Sequence, residues 1–170
     1  MIDFFTAVLV TGGSGSFPFE IQKTSTIIDI ANDQASSGPD LIVARKEHGC
    51  NTIEIGTKKY AIILGGKDAS FARLSSTELL DLDQLNQGSW IAGPNFPTPM
   101  SQLSLVSTSP TSLFAIGGFN AGKVNDKVHK FTCTGTTVDT CQWVEHQTLQ
   151  NGRYAHVAIP LTDAWVTQLC

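Results

Sequence analysis

Short apolar runs punctuated by glycine recur along the whole chain. Val8-Leu9-Val10, Ala61-Ile62-Ile63-Leu64 and Phe114-Ala115-Ile116 are continuous rather than alternating, and a double glycine closes each: Gly12-Gly13 after Thr11, then Gly65-Gly66 and Gly117-Gly118. Continuous runs this short predict strands buried on both faces. The glycines predict positive φ and close backbone approach where such strands leave a crowded sheet. The three pairs are 53 and 52 residues apart, and other features keep that step. Trp90 and Trp143 are 53 apart, and Ser25–Asp29 matches Ser76–Asp81 at a step of about 52. Arg45-Lys46-Glu47-His48 and Arg153-Tyr154-Ala155-His156 are two steps apart, with Pro99-Met100-Ser101-Gln102 as a degenerate copy between them.

The second unit shows the predicted plan. Gly49 to Ile55 reads as a strand, Gly56 to Lys59 as a tight turn, and Tyr60 to Leu64 as a buried second strand. A polar loop, Lys67 to Leu74, leads to a third strand from Ser76 to Leu82. A turn through Asn86-Gln87-Gly88 leads to a fourth strand around Trp90. Pro94, Pro97 and Pro99 break the chain before the next unit. Four short strands in about 50 residues describe one blade of a β-propeller. The chain divides into one repeat region, 1–170, with approximate repeats 1–44 (partial), 45–96, 97–152 and 153–170, the last the start of a fourth.

The double glycines, the spaced tryptophans and the Arg-x-x-His segments resemble the kelch repeat over nearly the whole chain. The resemblance implies an all-β fold of four-stranded antiparallel blades. Each residue type then has a mechanical role. Gly12, Gly13, Gly65, Gly66, Gly117 and Gly118 end the second strands. Trp90 and Trp143 cover seams between blades. Arg45, His48, Arg153 and His156 bond backbone carbonyls between blades. The first repeat departs from the pattern, with Ala35-Ser36-Ser37 near the Trp slot, and Val128-His129-Lys130-Phe131 stands in the last third-strand slot. The resemblance implies a ring of about five to seven blades, within the range of β-propellers generally, whereas this chain has about three. The expectation is an incomplete ring, completed by missing blades or by oligomerisation.

Composition narrows the function. Of 170 residues, 41% are hydrophobic and 15% charged, which excludes a disordered chain. A net charge of −4 with no basic stripe excludes a nucleic-acid partner. No apolar run is long enough to span a bilayer as a helix. The opening Met1–Val10 run lacks a basic n-region and a cleavage site and reads as a strand. The four cysteines form no CxxC pair, so a zinc finger is unsupported. Cys133 and Cys141 flank a turn-rich segment and could be bridged across a hairpin. That hairpin favours an extracellular compartment over a cytoplasmic one.

Val10-Thr11-Gly12-Gly13-Ser14-Gly15 looks like a dinucleotide loop. Pro18 replaces its last glycine, too few residues follow for a crossover helix, and the Gly-Gly recurs twice without the rest of the loop. His48 and His156 share a repeat slot and read as structural, so no metal is expected. Tyr60 and Tyr154 fit no oxidase ligand pattern. No catalytic residue and no cofactor is expected. What remains is the set of loops after the double glycines, on a rigid scaffold. They offer Phe17, Phe19, Lys67, Asp68, Phe71, Arg73, Phe119, Asn120 and Lys123 to a protein partner. The expected function is a kelch-repeat protein-interaction module. The alternatives are a fragment of a galactose oxidase-like enzyme and a secreted structural kelch protein.

Overall fold

Two of the three apolar runs become inner strands of antiparallel sheets in the computed structural model, which describes residues 7–16, 20–85 and 87–161. Val8-Leu9-Val10 instead lies in an edge strand with one face exposed, against the expectation of burial on both faces. In the first sheet β1 (Ala7–Thr11), β2 (Ser25–Asp29) and β3 (Gln34–Gly38) lie in that order. The second sheet orders β4 (Gly49–Ile55), β5 (Lys58–Leu64), β6 (Thr77–Asp81) and β7 (Ile91–Ala92). After β8 (Ser104–Ser109) and β9 (Ser112–Ile116), a small hairpin of β10 (Phe119–Asn120) and β11 (Lys123–Val124) intervenes. The third sheet then adds β12 (Lys127–Cys133) and β13 (Cys141–Thr148), in spatial order β8-β9-β12-β13. The fold is all-β, and among the described residues no helix is long and apolar enough to cross a membrane.

Alternation of side chains decides how the sheets stack. On β5, Ile62 and Leu64 point one way and join a core with Leu105, Leu113, Ala115, Phe131 and Trp143 of the third sheet. Ala61 and Ile63 point the other way and pack with Leu41, Leu80 and Trp90, with Leu9 of the first sheet against them. The second sheet is therefore sandwiched between the other two, which is why β5 reads as a continuous apolar run. The two repeat tryptophans, Trp90 and Trp143, each tie a sheet to the one before it. Trp90 Nε1 donates to Pro39 O at 3.1 Å, and Trp143 Nε1 to Thr77 Oγ1 at 3.0 Å.

Expected strands and observed strands differ mainly at the edges. β5 starts two residues early, because Gly56 and Thr57 alone make the turn. The fourth strand is Ile91–Ala92, beside Trp90 rather than on it. Ala35-Ser36-Ser37, in the slot without a tryptophan, still forms a strand, β3, in register with β2. Cys133 and Cys141 stand opposite each other on β12 and β13 and form a disulfide.

Candidate functional site

Each double glycine seats a four-residue lead-in segment that starts the next unit. Gly13 N–H donates to Arg45 O, Gly66 N–H to Met100 O and Gly118 N–H to Arg153 O, all at 2.8 Å. Gly65 and Gly66 have φ of 67° and 95°, and a side chain on either would collide with backbone oxygen, of Met100 and Lys46 respectively. The three lead-in segments are thus Arg45–His48, Met100–Leu103 and Arg153–His156. Their third residues, Glu47, Gln102 and Ala155, all have positive φ although none is glycine. They also link to one another, Gln102 N–H donating to Glu47 O at 2.8 Å and Ala155 N–H to Gln102 O at 2.9 Å.

Arg45 is fully buried. Its Nη1 donates to Gly65 O at 2.8 Å and Ser76 O at 3.2 Å, and its Nη2 to Ser76 Oγ at 2.9 Å. Nη2 also pairs with Glu78, whose carboxylate accepts the N–H groups of Ile42 and Val43. Burial pulls the guanidinium below its ordinary pKa, and Glu78 opposes that shift. His48 Nε2 lies 3.3 Å from Thr11 Oγ1. Burial, then the Arg45 charge, lower its pKa from 6.5 to about 4. In the middle junction the equivalent pair is Leu103 and Leu64. In the third it is His156 and Ile116, so His156 has no hydroxyl to meet and both its ring nitrogens lack partners. Of the four residues expected to bond backbone carbonyls between units, only Arg45 does so among the described residues. His48 meets a hydroxyl, His156 has no hydrogen-bond partner among the described residues, and the exposed Arg153 side chain reaches only Asn151 O in its own segment.

The loops after the glycines gather at this same end of the sheets. Lys67 pairs with Lys46 through both backbone groups, at 2.8 and 3.0 Å. Its Nζ lies 2.9 Å from Glu47 Oε2, an ion pair off the hydrogen-bond angle. Asp68 Oδ1 accepts from Ser70 N, Ser70 Oγ and Ala72 N and so holds the turn that presents Phe71. Those bonds, the Ser70 hydroxyl first, keep the Asp68 carboxyl below its usual range. Phe71 is 60% exposed at a φ of 64°, with Lys46 Nζ 4.6 Å from its ring centre. Arg73 lies over Phe119 at 4.8 Å, and Phe119 meets Tyr154 with ring centres 5.1 Å apart.

The structure therefore sets two cation–ring contacts in one row, Lys46 on Phe71 and Arg73 on Phe119, the second continued by Tyr154. Lys67, bridged to Lys46 and Arg73 through its backbone, turns its ammonium to Glu47. Asp68 supports the row from its turn. Asn120 and Lys123 pair across the β10–β11 hairpin at its end. Phe17 and Phe19 lie outside the described residues. Sequence reasoning did not place Lys46, Glu47 and Tyr154 in the row. Their signal was available, because Lys46 and Tyr154 occupy the same slot after the repeat-equivalent arginines. Among the described residues no three His, Cys, Asp or Glu side chains converge as a metal site would require. A scan against protein-family models found no match for the chain, and a search of curated proteins found none either.

Proposed function

We propose that the chain is a run of kelch-type propeller blades that binds a protein partner through the loops following its double glycines, without catalysis of its own. The observation that carries this reading is the row of Lys46, Phe71, Arg73, Phe119 and Tyr154 at one end of the stacked sheets. Aromatic rings paired with arginine are the side chains that anchor protein interfaces, because they bury large area at low entropic cost. Recurring backbone bonds between the lead-in segments hold that row on a rigid base. The propeller reading is supported by the nearly equal spacing of the glycine pairs and by the meander order of the two four-stranded sheets.

The test is affinity capture from the native source with wild-type protein and with a Phe71→Ala, Arg73→Ala variant. Retention of a partner by the wild type and a loss of at least about tenfold in affinity in the variant are expected. Equal capture by both would overturn the reading. The Cys133–Cys141 bridge favours a second reading, a secreted structural kelch protein. Thiol labelling of protein from its source, without reductant, separates the two: reactive Cys133 and Cys141 would eliminate the secreted reading.

A further inference from the structure

The three junctions are not equally complete. In the first, Arg45–His48 is followed by β4, which pairs along β5 with Gly49 opposite Leu64, Asn51 opposite Ile62 and Ile53 opposite Tyr60. In the second, Met100–Leu103 is followed by β8, which pairs along β9. In the third, Arg153–His156 is docked on Gly118 and on Gln102, but Val157–Leu161 runs on outside any strand. Val157 is 83% and Ile159 74% exposed. Arg153 makes one long bond, to Asn151 O at 3.5 Å, where Arg45 makes a full set.

The opposite end of the stack has the matching gap. Among the described residues the first sheet has three strands where the others have four, and β1 pairs with β2 alone. Gly12 N–H turns inward to Thr24 O at 3.0 Å. By alternation Thr11, Leu9 and Ala7 turn their backbone groups toward the open edge. A side chain on Gly66 would meet Lys46 and His48, whereas one on the equivalent Gly13 would point into open space among the described residues. The outer face beside this edge, with Val8, Val10 and Ile28, is exposed and apolar. These residues are the repeat equivalents of Ala61, Ile63 and Leu80, which the preceding sheet covers.

We propose that Val157–Leu161 of one copy adds as a fourth strand to the edge of β1 in a second copy. The repeat sets the register: Val157, Ile159 and Leu161 opposite Thr11, Leu9 and Ala7. Pro160 falls where Thr52 stands in β4. The Thr52 N–H points away from β5, to Asn51 Oδ1 at 2.7 Å, so a proline there forfeits no ladder bond. Arg153 then reaches Gly12 O, Thr24 O and the Thr24 hydroxyl, as Arg45 reaches Gly65 O, Ser76 O and Ser76 Oγ. Thr26 replaces Glu78, so this arginine is held by neutral acceptors. Tyr154 comes beside Ser14 as Lys46 does beside Lys67. The occupant is a second copy because the chain's own segment is pinned on the third sheet, with the second sheet between it and β1. The contact is head to tail, so it closes a ring or extends a filament according to its rotation.

The proposal rests on the repeat geometry and not on what the loops bind. Sedimentation equilibrium of the 170-residue chain across the micromolar range tests it. A mass at least twice the 18.2 kDa of one chain is expected, falling to one chain in Ile159→Pro, whose exposed site leaves near-UV circular dichroism unchanged. A single-chain mass for the wild type, or assembly that survives Ile159→Pro, overturns it and leaves the loop-binding reading standing. Cysteines placed across the proposed pair give a second readout. In a Cys50→Ser, Cys170→Ser background, oxidising Ala158→Cys chains mixed with Val10→Cys chains is expected to give a covalent heterodimer. Dimers formed as readily by either variant alone overturn the head-to-tail register.

Discussion

Arg45 carries a charge into the interior, and the cost is offset only because every donor meets an acceptor. A buried ion pair adds little over a well-packed apolar pair, but breaking one side leaves the other charge stranded. Arg45→Ala is expected to lower the unfolding free energy by about 3–5 kcal/mol, measured in urea. Arg45→Met with Glu78→Leu is expected to recover much of that loss. His48 gives the first junction a pH dependence. Its folded pKa, about 4, lies below the unfolded value of 6.5, so the unfolded chain binds the proton more readily. The resulting stability is complete above pH 6.5 and is lost as pH falls toward 4, a change of up to about 3 kcal/mol. Burial shifts His129 and His156 in the same direction. Thermal melts between pH 7 and pH 4 are expected to show this decline, and Thr11→Leu with His48→Leu to make it shallower, leaving the part due to His129 and His156. The middle junction already uses leucines at both places. That exchange of a polar pair for an apolar one is why the middle lead-in segment reads as degenerate and one residue early, at Pro99–Gln102 where the structure has Met100–Leu103. A single position reads as a lost motif, whereas the pair, 39 residues apart in Leu64 and Leu103, keeps the packing.

At the scale of strands, the apolar runs and their glycines were sufficient to place β2, β4, β5 and β6 nearly to the residue. Strands buried on both faces leave an unbroken hydrophobic signal, and positive-φ turns leave glycine. What could not be read was set by partners distant in sequence. Glu78 sits mid-strand and looks solvent-facing until Arg45, 33 residues earlier, is seen beneath it. Glu47, Gln102 and Ala155 take a left-handed backbone that no glycine announces. The row of Phe71, Arg73, Phe119 and Tyr154 joins three segments, and only the loop members were nominated. The hairpin of β12 and β13 has its own brace in Cys133–Cys141. Closing so short a loop restrains the unfolded chain by about 2.5 kcal/mol in the chain-entropy picture. Cys133→Ser with Cys141→Ser is expected to cost that much in denaturant unfolding. Reductant is expected to lower the melting temperature of the wild type and leave the variant unchanged.

Across the whole molecule, stability is shared between nearest-neighbour sheets. The second and third sheets meet through a large core that includes Phe96, Phe131 and Trp143, with Phe96 and Trp143 edge to face at 5.5 Å. The first sheet meets the second through a much smaller set around Leu9, Leu41 and Trp90. Hydrogen exchange is therefore expected to release the amides of β1–β3 first, with β5, β9 and β12 exchanging last. Uniform protection across the three sheets would contradict that order. The junctions have one further consequence. Each is built from the same backbone bonds between a glycine pair and a lead-in segment, and its side chains vary from junction to junction. A stretch of chain cut between equivalent glycines, such as Gly66 to Gly117, carries matching ends. Copied in frame, it would lengthen the stack by one sheet without inventing a new contact. A gene for such a molecule can grow or shrink by whole units, and its length is a weaker constraint on its evolution than its period.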